Sequence, residues 1–386
     1  MNLDRPVSGY SPEQLIASLL QVREQLHALV ACLPADGWLG PRDPILNPPL
    51  WELGHIIWFQ ERWCLRAQAD GRVADSLLPG ADALYDSSAV PHDTRWDLPL
   101  LPPAALDAYA NRVTAAVTAR LRGAFTPALA YLAELCLYHE LMHIEAWWMA
   151  FQYLGYAPAA ALTLPDALPL LASRLALAEA DVTLGSGTGE GFIFDNEKWR
   201  HPVRVAACEI DASLVSEAAF AAFVDAGGYQ LRSAWSQAGW DWRTASGATQ
   251  PLYWRKSAAG WQVRRFDQWS PLLAGTPMLH VNCFEAEACA AWLGRRLPSA
   301  AEWQHATGID GFDWGAGWEW TRDAFAPYPG FEPDLYRDYS QPWFHTHQEL
   351  RGGGPVTDAR LKRPGFRNFY LPQRRDAFAG FRTASA

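Results

Sequence analysis

The stretch TPALAYLAELCLYHELMHIEAWWMAFQYLG, residues 126–155, sets the terms for any fold of this chain. Between Pro127 and Gly155 it holds no helix breaker, so it reads as one long helix, and its apolar character demands cover on most sides. Three further stretches supply that cover. SPEQLIASLLQVREQLHALVACL opens with Ser11 as an N-cap and Glu13 and Gln14 in the first turn, then carries Leu15, Leu19, Val22, Leu26 and Val30 at three-to-four spacing. NPPLWELGHIIWFQERWCLRA starts after a double proline and runs from Leu50 to about Ala67, and PAALDAYANRVTAAVTARLRGA completes the set. Four such helices make a bundle. The connection between the second and third, about residues 69–102, is long and holds Pro, Asp and Ser, which predicts a functional surface loop.

Beyond about residue 156 the pattern changes. Glycines cluster in GSGTGEG, AGG and RGGG, β-like segments such as HPVRVAACEI alternate with turns, and two helical stretches stand out, SEAAFAAFVDAG and CFEAEACAAWLGRR. At roughly 150 residues per domain, a chain of 386 residues accommodates two domains. The expected class is α+β, with a helical bundle over 1–160, a linker over 161–182 and a mixed domain over 183–386. A net charge of −10, with 32 basic against 42 acidic residues and no basic run, gives no footprint for nucleic acid. No window approaches 18 consecutive apolar residues, the start lacks a basic-then-apolar leader, and six cysteines form no CxxC pair. These features predict no membrane partner and a cytoplasmic location. Tryptophan is in excess, with 20 copies, which suits both a core and a walled small-molecule cavity.

On the long helix, His139 and His143 are four residues apart, about one turn, so both imidazoles leave the same face and can converge on one ion. His55 lies mid-helix in the apolar segment LWELGHIIWFQ, where an unpaired ring is costly to bury. Three histidines from two helices of one bundle therefore form a candidate metal site. Glu140 and Glu145 point about 100° and 200° away from the neighbouring ligands around the helix, and stand either behind a histidine or in solvent. HELMH matches the zinc-protease string, but an upstream third ligand on a bundle does not fit that architecture. Three imidazoles leave up to half an octahedral sphere free, which suits Fe(II) and oxygen chemistry, whereas zinc favours four ligands. A zinc-dependent thiol transferase on the same bundle and a non-catalytic sugar binder are the rival classes.

NPPLWELGHIIWFQER followed by HELMHIE resembles the DinB-like metal-binding bundle of the nonheme-iron sulfoxide synthases of ergothioneine and ovothiol biosynthesis. In the second half, PMLHVNCFEAEACAAWLGRRLPSAAEWQHA, WEWTRD, PYPGF, LRGGG, RNFY and GFRTA resemble the formylglycine-generating-enzyme-like domain, a C-type-lectin-like fold, that follows the bundle in those enzymes. The resemblance implies an oxygen-dependent oxidoreductase. Fe(II), on residues matching His55, His139 and His143, would serve a reaction of hercynine, dioxygen and a sulfur donor that forms a carbon–chalcogen bond at the imidazole. A quaternary ammonium such as hercynine's favours aromatic walls.

Where the ergothioneine enzymes often carry a hercynine-contacting glutamine, this chain has Met142. The loop expected to hold an arginine cluster for γ-glutamylcysteine reads LYDSSAVPHDTRWDLPLLPP, with Arg95 its sole arginine. In RNFYLPQRR, Asn368 and Arg374 match substrate-contact positions, Phe369 beside Asn368 is expected at the substrate with them, and Tyr370 replaces an aspartate that would hold the donor's ammonium. A sugar donor lacks both carboxylate and ammonium, so these departures imply the selenoneine synthase branch, with a selenosugar in place of the thiol. Tyr328, Tyr336 and Tyr339 lie where the family draws a tyrosine proton donor. His345 and His347, Cys283 and Cys289, and the run Gly352–Gly354 read as a substrate-loop or surface pair, apolar filler and close-approach backbone respectively.

Overall fold

The computed structural model describes residues 9–68, 71–158, 173–187 and 191–386. Residues 161–172 of the expected linker and 188–190 of GSGTGEG lie outside the described residues. The chain divides into two compact units, the first chiefly residues up to Ala150 and the second chiefly Ile193–Ala386.

The first unit is built from α1 (Pro12–Val30), α2 (Pro49–Glu61), a short α3 (Ala81–Tyr85), α4 (Pro103–Gly123) and α5 (Pro127–Leu154). At α1, Ser11 and Gln14 form a reciprocal capping box and Pro12 occupies the first turn, satisfying donors that a helix start leaves open. Its buried face is Leu15, Leu19, Val22, Leu26 and Leu29. Every α2 residue named from Trp51 to Glu61 is buried, so α2 is a central rod and shows no amphipathic stripe. It runs on into a π-helical turn, Arg62–Arg66. There, Arg120 of α4 donates to the carbonyls of Cys64 and Leu65 at 2.8 Å each. Fully buried Glu61 accepts from the Tyr109 hydroxyl at 2.6 Å and the Ser76 hydroxyl at 2.7 Å, which offsets its desolvation.

The connection over 71–102 runs mostly over the surface, as its composition predicts, but turns inward at four residues. Ala81, Tyr85, Val90 and Arg95 are buried, and α3 packs on α2, because the central rod needs cover that the long helices leave incomplete. Among the described residues no helix is long and apolar enough to cross a membrane.

The second unit has strands β1 (Arg174–Leu177), β2 (Ala180–Leu184), β3 (His201–Val205), β4 (Cys208–Asp211), β5 (Trp254–Ser257), β6 (Gly260–Arg265), β7 (Gln268–Pro271), β8 (Gly317–Ala324), β9 (Gln348–Gly353), β10 (Asn368–Tyr370) and β11 (Ala379–Gly380). Helices α6 (Glu217–Asp225), α7 (Gln237–Ser246), α8 (Cys283–Trp292) and α9 (Ala300–Ala306) accompany them. The stretch 173–182, expected within the linker, is partly strand: β1 pairs antiparallel with β4, and β2 with β3. The main sheet has the order β10-β9-β8-β11, with β11 parallel to β8, and β5-β6-β7 form a meander. Two domains of mixed α+β character, a helical one and a sheet-bearing one, are thus present in the order expected.

Short strands and much irregular chain are held by buried ion pairs. Glu349 takes both Arg351 at 2.7 Å and Arg367 at 2.6 Å. Arg382 grips Glu319 through two bonds of 2.5 and 2.7 Å and also donates to the carbonyls of Asp211, Ala212 and Asp313. Removing one partner strands the other charge in the core. Arg382→Ala is expected to cost about 3–5 kcal/mol in chemical denaturation; a loss below about 1 kcal/mol would mean the pair is incidental.

Candidate metal centre

His55, His139 and His143 each offer a ring nitrogen within 4.8 Å of the others. His55 Nε2 and His139 Nε2 stand 3.2 Å apart. Ligands about 2.0–2.2 Å from an ion are separated by about 3–3.5 Å, so this spacing is that of two neighbours on one ion.

The residues behind the rings fix which nitrogens face inward. His55 Nδ1 donates to the Tyr85 carbonyl at 2.8 Å, and His143 Nδ1 donates to Glu52 Oε1 at 2.6 Å. With Nδ1–H committed outward, each Nε2 turns a lone pair toward the cluster. Three imidazole nitrogens within 4.8 Å of one another, two of them fixed as inward acceptors, are a donor set that fits a metal. His139 is clamped by Phe59, whose ring stacks on it at 3.6 Å and 2°, and Trp51 stacks on His55 at 5.0 Å and 6°. Burial holds His55 and His139 well below the usual imidazole range, with like charge from His143 adding to the effect, and keeps both ready as neutral ligands.

Gly54 makes the His55 contact possible. A Cβ there would lie 2.2 Å from Cε1 of the fully buried Tyr85 ring, so only glycine lets that ring seat against α2 and bring its carbonyl to His55.

The structure reassigns several residues read from sequence. Glu140 stands neither behind a histidine nor in solvent: it takes Arg23 of α1 through bonds of 2.6 and 2.9 Å. Its roughly 100° offset from His139 aims it at that helix, and the pairing leaves it unsuited to act as a general base. Glu145 is buried rather than solvated. Arg95 is also buried, donating to Asn47 Oδ1 at 2.7 Å and lying 3.8 Å above the Trp51 ring. Burial lowers its pKa to about 10, against the opposing charge of Glu52.

Met142, between the two α5 histidines, is half-buried. In the second unit Arg374 is tied to Asp376 through bonds of 2.6 and 2.5 Å, with its guanidinium 5.5 Å from the Tyr370 ring centre. Asn368 Oδ1 accepts from the Phe369 backbone, and Phe369 stacks on Phe325. Tyr328 belongs to a core cluster with Leu184, Val205 and Ala301, and its hydroxyl accepts from Arg351 at 2.7 Å. Tyr336 and Tyr339 remain half-buried side by side, 6.3 Å between rings. Burial, with Glu197 and Asp195 adding to it, keeps the Tyr339 hydroxyl protonated. Glu52, Tyr85 and Gly54 were not singled out from sequence. No local spacing announces Glu52, whose histidine partner, His143, lies on another helix.

The sequence profile of the DinB superfamily matches residues 18–146, and that of the sulfatase-modifying factor enzyme 1-like domain matches 171–316. A DinB-type bundle with three clustered histidines, followed in sequence by such a domain, defines a two-domain oxidoreductase class. The chain is 33% identical to a hercynine oxygenase of Mycolicibacterium thermoresistibile over 89% of its own length and 88% of the relative's. It is 32% identical to the hercynine oxygenase of Mycobacterium tuberculosis over 97% and 99%. A formylglycine-generating enzyme of Streptomyces coelicolor is 32% identical over 37% of this chain and 50% of that one. The chain belongs to the hercynine oxygenase family.

Two expectations follow. Gly54→Ala and Glu52→Ala should each weaken divalent-metal binding by about 10- to 100-fold in calorimetric titration, since both release a ring from its orienting partner; affinities within about twofold of the parent would show that those partners do not position the rings. In the metal-free protein, His55 and His139 resist protonation while the unfolded chain does not. The unfolded state therefore binds more protons below the ordinary histidine pKa of about 6.5, and stability falls as pH drops through that value. Two groups give a slope of up to about 2.7 kcal/mol per pH unit. Denaturation at pH 7.5, 6.5 and 5.5 reads it, and an unchanged midpoint would sink it.

Proposed function

We propose that the chain is an Fe(II)- and dioxygen-dependent selenoneine synthase, joining hercynine to a selenosugar through a carbon–selenium bond at the imidazole. His55, His139 and His143 would hold the iron, which when bound supplies dioxygen binding and redox chemistry. Tyr85 and Glu52 keep the rings oriented, and Phe59 and Trp51 exclude water from two of them. Met142, Asn368, Phe369, Tyr370 and Arg374 would contact the substrates, and Tyr336 or Tyr339 would donate the proton. Tyr328 is the least favoured of the three, because it packs in a core cluster and its hydroxyl accepts from the buried Arg351.

The observation that carries the choice of donor is the commitment of Arg95. It is the sole arginine of LYDSSAVPHDTRWDLPLLPP, and its two terminal nitrogens donate to Asn47 and to the carbonyls of Ser87 and Val90 while the guanidinium lies over the face of Trp51, which leaves only its buried Nε without a hydrogen-bond partner. A γ-glutamylcysteine donor brings two carboxylates that need cations, whereas a selenosugar brings none. Tyr370, in place of an ammonium-binding aspartate, agrees with a neutral donor.

A second reading, a thiol donor as in ergothioneine formation, draws on the identities of 33% and 32% to hercynine oxygenases. The test is aerobic incubation of the Fe(II)-loaded protein with hercynine and each donor, followed by mass spectrometry and oxygen uptake. The expected outcome is a carbon–selenium product from the selenosugar and none from γ-glutamylcysteine. The reverse moves the chain to the thiol reading, and no oxygen uptake with any donor overturns both.

A further inference from the structure

Cys64 and Cys136 lie 3.6 Å apart, sulfur to sulfur, and both are buried. They stand on the two segments that carry the metal ligands. Cys64 occupies the π turn that extends α2, a local widening that in proteins often marks functional sites. Cys136 sits on α5, one turn before His139. Phe59 connects the pair to the cluster: its carbonyl accepts from Cys136 Sγ at 3.8 Å, and its ring is the one stacked on His139. All six cysteines are free thiols.

Burial pushes the Cys136 thiol well up, with Cys64 and Glu140 adding to the effect and Arg23 opposing it, so it stays protonated and slow toward reagents in bulk solvent. What can reach such a pair is a small neutral oxidant that permeates the bundle or arises inside it. Hydrogen peroxide meets both conditions, being uncharged and the two-electron reduction product of dioxygen. We infer that Cys64 and Cys136 are a peroxide-reactive dithiol that closes to a disulfide beside the histidine cluster. As its proton passes to the departing peroxide oxygen, one sulfur attacks the other oxygen, breaking the O–O bond and yielding a sulfenic acid and water. The second thiol displaces the sulfenic hydroxyl, forming the S–S bond and releasing a second water. The two sulfurs are oxidised by two electrons in total, the peroxide is reduced by two, and both thiol protons leave in water.

A disulfide spans about 2.05 Å, so closure draws the π turn and α5 together by more than an ångström and shifts Phe59 against His139. Oxidation would thereby loosen the metal site, and reduction would restore it. Only the internal source of peroxide rests on the dioxygen-using reading; the dithiol itself does not.

The test treats the metal-loaded full chain with a small excess of hydrogen peroxide, then denatures, alkylates and maps peptides. The expected result is alkylation of four of the six thiols and one cross-linked peptide pair, Cys64 with Cys136, about 2 Da lighter than the reduced sum. Divalent-metal affinity should drop about fivefold or more, within the range for disturbed ligand support, and recover with dithiothreitol. Cys64→Ser and Cys136→Ala should each abolish the cross-link and keep metal affinity under the same dose. Six alkylated thiols, pairing elsewhere, or sulfinic acid at Cys136 would overturn the inference. Closure with added peroxide but not under air with Fe(II) and no donor supports the dithiol and counts against the oxygen-using reading.

Discussion

The metal centre depends on two outward hydrogen bonds, from His55 Nδ1 to a backbone carbonyl and from His143 Nδ1 to a carboxylate. A neutral imidazole has one donor nitrogen and one acceptor nitrogen, so occupying the donor on the outside fixes the acceptor on the inside. With those partners in place, the inward nitrogens of His55 and His143 are acceptors and suit a cation. Gly54 is part of the same device, because the carbonyl that His55 needs belongs to a tyrosine that can approach only where no Cβ intervenes.

This arrangement constrains how the bundle treats its other charges. Glu140 is drawn off to Arg23, Glu61 accepts from two hydroxyls and the Leu77 backbone N–H, and Glu52 meets the cluster through His143. Imidazole ligands bring no charge of their own, so the charge of a bound cation stays available to whatever enters the open side of the site. A carboxylate ligand would have spent part of it. Arg95 and His55 both lie against the Trp51 ring, Arg95 at 3.8 Å from its centre.

Much of this was legible in the residues. The four long helices follow from breaker-free apolar runs and caps, and the three histidines stand out because polar rings inside apolar helices demand a partner. The supporting groups left weaker traces. Tyr85 acts through its main-chain carbonyl, which every residue possesses, so no side-chain pattern announces it. Glu52 sits in the first turn of its helix, where acidic residues are ordinary for dipole reasons. The connection that carries Tyr85 has the proline, aspartate and serine of a surface loop, and only the need to cover α2 explains why it turns inward. Arg95 read as a ligand-facing cation because sequence gives the charge of a side chain but not the oxygens that have already claimed it.

The second unit solves a different problem with the same chemistry. Its strands are short and much of its chain is irregular, so ladder hydrogen bonds alone fix few of its backbone groups. Arg382 and Arg367 act as internal struts: each guanidinium spans a carboxylate and carbonyls from segments far apart in sequence, Arg382 reaching Asp211, Asp313 and Glu319, and Arg367 reaching Asn196, Ala326 and Glu349. A planar five-donor group can hold such loops at fixed angles where an apolar side chain would only fill volume. That rigidity allows Asn368, on the short strand β10, and Arg374, on the irregular chain after it, to be held at defined positions. The bundle positions its ligands by restricting tautomers, and the lectin-like unit positions its side chains by restricting loops; in both, a buried polar group is tolerated because its partner sets a direction.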